Sequence, residues 1–558
     1  MTVSGEADDR EAKDREPRAR PCGGLWARVD LLAVLLFLLV LGRCSQQMHI
    51  GCPDFFWHVK TGERTVRERR VIWRDDFSHT ANGRTGLPQD WLFQAGEYLL
   101  YAHFGLSGVM LGMAALAAAG ATLLYWMLRH SLRVSVVLAL VTAWLFWSAW
   151  AGEVEQLRPK VFQTLGLLVV LLALVNWSRG RDRTMLWLPP FFVLWANVHG
   201  SFVYGLAVCL WFLATEAGRW WLRPRRDGRA RRRLTTLSLY VGACVVATFV
   251  SAATYHTYVS AFRFIRFNME WDRRIFEWLP WRPDPHGLGG ALLVLLLVSL
   301  CLGRRPVSLF SGVLLAGTFW YALMHRRFVS MFAVVALPVA AVQLQSWLVH
   351  LDDTISRLGP CARWRQWLRG TLLAPGLTDT SLYAGVAPVL ILAAALAVLP
   401  SLPHGRTLRN STTPGSYPFV IADTVWQYDI PGKMLNKYGD GGFLLFRLWP
   451  KQRVFVDGRS ILYGDRICLD ASAAIDGKPN WRHLFEQYGV TFVITPDDAG
   501  IVKKLEADPG WVRVQQAEGH RLYLKRCRLN EQVLARLRAD GVWRPGTTDG
   551  PEAESAGH

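Results

Sequence analysis

The sequence predicts a polytopic α-helical membrane protein of about eleven transmembrane helices, carrying a small C-terminal α/β domain. Three observations predict it. Hydrophobic residues make up 51% of the 558 positions and charged residues only 19%, too apolar a balance for an ordinary soluble enzyme of this size. The apolar residues cluster into runs near the ~20 residues that cross ~30 Å of hydrocarbon. From about residue 401 the hydropathy falls, and short apolar stretches with strand patterning flank a helical one.

Taken in order, residues 1–24 form a basic tail with too few apolar residues to offset the entropy of ordering, and are expected to be a disordered cytoplasmic tail. Leu31 to Leu41 has the length of a signal-peptide core, but no small-x-small cleavage site follows. Arg43 before Cys44 also fits a lipoprotein site poorly, so this is a retained first helix. Expected spans are about 26–46, 106–127, 134–151, 160–177, 185–198, 202–218, 236–254, 288–302, 306–323, 328–346 and 382–400, within a transmembrane domain of 25–400 whose first outer loop covers 47–105. Residues 401–540 follow as the extracytoplasmic α/β domain. Strands are expected at Gly442–Leu448, Arg453–Asp457, Val490–Thr495 and Arg521–Lys525, with a helix at Trp481–Tyr488. Residues 541–558 are again poor in apolar side chains and are expected to be disordered.

Charge sets the orientation. With the N-terminus cytoplasmic, Arg129 and Arg133, Arg179 to Arg183, Arg223 to Arg233, Arg304 and Arg305, and Arg357 to Arg369 all fall on the inner side, and an odd number of spans places the C-terminal domain outside. The same distribution explains the formal net charge of +19 and argues against a nucleic-acid partner. The nine cysteines show no C-x-x-C pair or metal-ligand spacing, so structural thiols are the default. Cys468 and Cys527 share the outer domain and are candidates for pairing in an oxidising compartment.

Polar groups gather on the outer side. Asp54 and His58 stand in Pro53-Asp54-Phe55-Phe56-Trp57-His58, shortly after the first helix. Asp76 follows in the same loop, Arg158 stands after the third span, Asn197 and His199 at the fifth and sixth, Glu277 after the seventh, and Arg326 and Arg327 after the ninth. A carboxylate is suited to take a proton from an acceptor hydroxyl, and guanidinium forks suit phosphate oxygens. Each residue also has a structural reading: Asp54 as a helix N-cap, Asp76 as a turn residue, the arginines as snorkelling side chains, His199 as a packed histidine, and Glu277 as part of an interfacial turn.

The order of these motifs resembles the GT-C superfamily of membrane glycosyltransferases, particularly the bacterial groups that use polyprenyl-phosphate-linked sugars. The resemblance runs from Asp54 to about Lys525 through Asp76-Phe77-Ser78-His79-Thr80, Gln89-Asp90-Trp91-Leu92, Arg158-Pro159, Trp195-Ala196-Asn197-Val198-His199-Gly200, Phe276-Glu277-Trp278 and Arg326-Arg327-Phe328. In the outer domain it includes Tyr438-Gly439-Asp440-Gly441-Gly442-Phe443 and Val456-Asp457-Gly458-Arg459. It implies that Asp54 is the general base, with Asp76 as a second acid. It further implies that Arg158, Arg326 and Arg327 bind the donor phosphate, and that His58, Asn197, His199 and Glu277 bind substrate.

The implied activity moves a sugar, with inversion, from a polyprenyl-phosphate donor to a lipid, glycan or protein acceptor. The setting would be the outer face of the plasma membrane in a bacterial cell envelope. Three departures stand against the pattern. Gln89-Asp90 replaces the usual acidic pair, and Ser251-Ala252-Ala253 replaces an Asn-Pro-like turn. The Asp-x-Asp metal signature of oligosaccharyltransferases is absent, so no metal ligand is assigned and a divalent cation stays open. A transporter or flippase of lipid-linked saccharides and a non-enzymatic membrane scaffold are the alternatives. The polar groups lie in outer loops and not at mid-membrane, which favours the enzyme.

Overall fold

The computed structural model of the chain describes residues 30–86, 88–222, 228–259, 270–284, 287–358 and 387–543. A helix stands within every expected span: α1 (Leu31–Gln47), α3 (Trp91–Trp126), α4 (Val136–Val154), α5 (Val161–Ser178), α6 (Leu188–Val198), α7 (Phe202–Trp221), α8 (Gly228–Thr248), α9 (Leu288–Leu302), α10 (Leu309–Met324), α11 (Val329–Leu358) and α12 (Ala387–Val398). The additional α2 (Asp54–Glu68) lies in the first loop. Among the described residues, five helical stretches are long and apolar enough to cross a membrane: Trp91–Ser131, Val136–Val154, Val161–Ser178, Phe202–Trp221 and Arg326–Arg357. Four more apolar helices are shorter. α6 has 11 residues, and α8 opens on an Arg-rich turn that lowers its hydropathy. Residues 1–24, the beginning of the last expected span and residues 544–558 lie outside the described residues.

Two irregularities shape the bundle. α3 breaks at Gly105, whose φ of 63° is not helical, so its apolar half begins at Leu106. α11 contains Pro338, whose ring and missing N–H interrupt the helical hydrogen-bond ladder. α2 buries Phe55, Phe56 and Val59 along one face and lies backbone-close on α3. At Gly62 a Cβ would stand 1.9 Å from the Gln94 carbonyl oxygen.

Beyond residue 401 a four-stranded sheet runs in the order β1–β2–β4–β3, with β1 Lys433–Asn436, β2 Val490–Pro496, β3 Trp511–Ala517 and β4 His520–Lys525. β1 and β2 are parallel, and the other neighbours are antiparallel. The β3–β4 hairpin closes through Glu518 and Gly519, both at positive φ, the geometry that matches strand twist in a two-residue turn. Helices α13 (Phe419–Tyr428), α14 (Gly441–Leu448), α15 (Ser460–Ile475), α16 (Trp481–Tyr488), α17 (Ile501–Glu506) and α18 (Glu531–Ala539) surround the sheet.

Several expectations are corrected here. Gly442–Leu448 is not a strand but most of α14. Its Phe443, Leu444, Leu445 and Leu448 are all buried, and a short run whose only charged residue is Arg447 carries too little period to separate helix from strand. Arg453–Asp457 forms no named strand, only a single bridge from Val454 to Ser78. β1 and β3 were not anticipated, since one is four residues long and the other carries Arg513, Gln515 and Gln516. Cys468 and Cys527 are not joined by a disulfide.

The first loop and the C-terminal unit pack together. The Phe56 ring meets those of Tyr417 and Phe443 at centroid distances of 5.0 and 5.3 Å, and the His79 ring nitrogen lies 2.9 Å from the Met434 carbonyl. α2 is therefore held between the helix bundle on one side and α14 on the other.

Candidate active site

The site is built where four helix ends meet the first loop. Asp54 is the first residue of α2. Pro53 takes the cap position and no side chain caps the helix, so the Asp54 carboxylate is not spent as an N-cap. One oxygen accepts from the Trp57 indole N–H at 3.1 Å. The other accepts from Arg158 at 2.9 Å. Arg158 stands in the tight reversal between α4 and α5, next to Leu157 at φ 50°.

The second guanidinium arm of Arg158 donates to Glu277, carried on a single helical turn at Phe276–Trp278. Glu277 also meets Arg327 at 3.4 Å and Lys160 at 3.6 Å. Burial alone would push its carboxyl up, but Arg327, Arg158 and Lys160 outweigh burial and hold it well below the usual carboxylate range. Lys160, at the start of α5, pairs in turn with Glu153 at 3.2 Å, and Glu153 accepts from Ser330 of α11 at 2.6 Å. The network runs Asp54–Arg158–Glu277–Arg327, with a branch from Glu277 through Lys160 to Glu153. Three carboxylates balance three cations, and snorkelling does not describe a guanidinium held between two acids.

Arg326 differs from its neighbour. Its guanidinium lies 4.0 Å from the centre of the Phe276 ring, its Nε is buried without a hydrogen-bond partner, and among the described residues it has no ion pair. Arg327 lies 3.9 Å over the Trp278 ring. Aromatic faces hold both guanidiniums in place while leaving N–H groups for a ligand.

The two histidines sit beside this network. His199 Nδ1 is 2.7 Å from the Ser201 hydroxyl, and burial together with Arg327, Arg158 and Lys160 lowers its pKa to about 3. His58 is buried, stacked on Trp57 at 3.7 Å and 3.1 Å from the Gln94 amide. Burial, Arg158, His199 and Arg459 hold it well below the ordinary histidine value. Both imidazoles are therefore neutral.

Two expected site residues lie elsewhere. Asn197 has every hydrogen-bonding position filled: its oxygen by Trp91 and the Ala252 N–H, its amide by the Val193 and Val250 carbonyls. It ties the end of α6 to the turn after α8. Asp76 pairs with Arg64 of α2. Burial raises its pKa, with Arg64 opposing.

The C-terminal unit reaches the site at a point that sequence reasoning missed. The loop Val456-Asp457-Gly458-Arg459 lies against Asp54, and a Cβ on Gly458 would stand 1.9 Å from the carboxylate oxygen that Trp57 also holds. Arg459 fixes this loop by pairing with Asp457 at 2.6 Å and, across the interface, with Asp75 at 2.9 Å. The sequence shows a turn with a possible internal Asp–Arg pair, and nothing in its spacing points to Asp54.

Solved structures share this architecture. An archaeal oligosaccharyltransferase, AglB from Archaeoglobus fulgidus in complex with an inhibitory peptide and a dolichol-phosphate, matches with a TM-score of 0.54 at 11% identity over 85% of this chain and 70% of that one. A mutant of the arabinofuranosyltransferase AftD from Mycobacteria matches with a TM-score of 0.51 at 14% identity over 88% of this chain, which spans 41% of that much longer protein. ArnT from Cupriavidus metallidurans bound to undecaprenyl phosphate gives a TM-score of 0.49 at 15% identity, over 89% and 98% of the two chains. No protein-family model matches the sequence, and no curated protein is similar to it. The chain shares its fold with the archaeal oligosaccharyltransferase and the mycobacterial arabinofuranosyltransferase.

Proposed function

We propose that the protein is an integral-membrane glycosyltransferase that moves a sugar from a polyprenyl-phosphate carrier to a lipid, glycan or protein acceptor, with Asp54 as general base. The observation that carries this reading is the Asp54 carboxylate, held at the end of the helix bundle between Trp57 and Arg158 within 3.1 Å of each. Arg326, which has no ion pair among the described residues, stands next to Arg327, whose Glu277 partner links it to Arg158. In the reaction the acceptor hydroxyl oxygen bonds to the anomeric carbon and its proton passes to Asp54. The bond from that carbon to the phosphate oxygen breaks, releasing the polyprenyl phosphate. Attack opposite the leaving group inverts the anomeric centre.

Arg326 is the first choice for the donor phosphate, since Arg158 and Arg327 already meet carboxylates. The neutral His199 and the clamped Glu277 would face the sugar. The helices in all eleven expected spans, and the joint position of the first loop and the C-terminal unit, support an extracytoplasmic site with a cytoplasmic N-terminus.

The test uses membranes containing the full chain, a labelled polyprenyl-phosphate sugar and Asp54→Asn. Transfer should fall by about 100-fold or more, while the melting temperature of the purified variant stays near that of the parent. Full transfer by Asp54→Asn would sink the mechanism.

A further inference from the structure

The opposite end of the helix bundle carries a second constellation. α5 starts beside Lys160 and ends at Ser178, 18 residues on, which at about 1.5 Å per residue places its far end roughly 27 Å away. There α5, α10 and α11 line a half-open apolar cavity of about 250 Å³, with Leu171, Val175, Phe310, Leu314, Val335 and Pro338 among its walls.

The mouth of this cavity is polar and fixed. It is formed by the turn between α9 and α10, which contributes Arg305, Val307 and Ser308 to the lining. The turn is pinned to α11 because the Gln343 amide donates to the Arg305 carbonyl at 2.8 Å and the Arg304 N–H donates to the Ser346 hydroxyl at 3.0 Å. Arg179, in the turn that follows α5, feels the like charges of Arg133, Arg181 and Arg305, which add to burial in lowering its pKa. Among the described residues, Arg133, Arg179 and Arg305 have no ion pair. Guanidiniums gathered without counterions repel one another, and an anion placed among them relieves that repulsion. The arginine-rich loops by themselves reflect membrane orientation. An apolar slot that opens under them does not follow from orientation.

We propose that this cavity binds an anionic glycerophospholipid of the leaflet opposite the Asp54 face, its acyl chain in the slot and its phosphate on Arg305 and Arg179. A lipid satisfies both halves of the site. Inorganic phosphate fills only the charged mouth, and a zwitterionic lipid adds a cation to a place already rich in them. The inference stands independently of the transferase reading, because it uses none of the residues near Asp54.

The test is native mass spectrometry of the full chain, purified in detergent and exchanged into phosphatidylglycerol or phosphatidylcholine. The parent should retain phosphatidylglycerol at least several-fold better, and millimolar inorganic phosphate should not displace it. Arg179→Gln with Arg305→Gln should abolish the preference. Val307→Trp, at a rim position 39% exposed, should block retention by filling the slot, and Ser311→Phe serves if that variant is unstable. Melting temperature in lipid-free detergent checks each fold. Equal retention of the two lipids, an unchanged preference in the double arginine variant, or retention unaffected by filling the slot would overturn the proposal. Transfer activity at Asp54 is not a readout of this experiment.

Discussion

Gly458 and Asp54 belong to different parts of the chain, yet the space for the carboxylate exists only because position 458 has no side chain. A Cβ there would collide with the Asp54 oxygen at 1.9 Å. Both sides of that contact are fixed, since Trp57 and Arg158 hold the acid and the Arg459–Asp75 pair holds the loop. Gly458→Ala should therefore lower kcat by about 10-fold or more while leaving KM for the donor little changed, as expected when a base is misplaced by a fraction of an ångström. Equal kcat for the variant and the parent would show that the loop yields and does not position the base.

His199 gives a pH prediction at the same scale. Its folded pKa of about 3 lies below the ordinary histidine value near 6.5, so the unfolded chain binds more protons as pH falls. Stability from this group is complete above the unfolded value and is lost as pH drops towards 3. His199→Gln should flatten the decline of melting temperature between pH 6.5 and 5. The slope should not vanish, because burial also depresses His58 and His79. Residue by residue, the sequence made Asp54, Arg158, Glu277 and Arg327 legible because each is an unusual polar group at the end of an apolar run. At Asn197 the same unusual placement serves four backbone and indole contacts, and Gly458 entered only as part of a motif, because its own signal is an absent side chain.

The helix of the first loop depends on contacts with its neighbours more than on its own propensity. α2 is short and polar on its outer face, and its close seat on α3 is possible because Gly62 brings the two backbones together. Gly62→Ala should push α2 from α3 and destabilise the protein by about 1–3 kcal/mol, the usual cost of overpacking. The measurement is thermal unfolding in detergent; an unchanged midpoint would mean that Gln94 can shift at no cost. Apolar run length located the helices of the bundle correctly. It failed at α14, where only Phe446 and Arg447 reach the surface and eight residues are too few to show a period, and it missed β3, which carries Arg513, Gln515 and Gln516.

At the scale of the whole molecule, the first loop and the C-terminal unit share one end of the bundle, whereas the arginine-rich turns near α8 and α9 mark the other. A cysteine placed at the exposed Ile461 should react with a membrane-impermeant thiol reagent added to intact cells, and one at the exposed Arg231 should not. The reverse pattern would invert the assigned orientation and remove the site from the outer face. This long-range arrangement was legible from charge bias alone, but the contact of the C-terminal unit with Asp54 was not. Charge bias assigns a side of the membrane and carries no information about which surfaces on that side touch.

The balanced ion-pair network has a kinetic consequence. With no substrate present, Arg158 occupies one oxygen of Asp54 and the Trp57 indole the other, so each carboxylate oxygen already holds a partner before any hydroxyl arrives. A donor phosphate brings negative charge that competes for Arg158. Drawing that guanidinium away would free an Asp54 oxygen for the acceptor hydroxyl only after the sugar has arrived. The carrier would thus release its own safety catch, which favours compulsory order: donor first, acceptor second, with little wasteful hydrolysis of an expensive lipid-linked sugar in between.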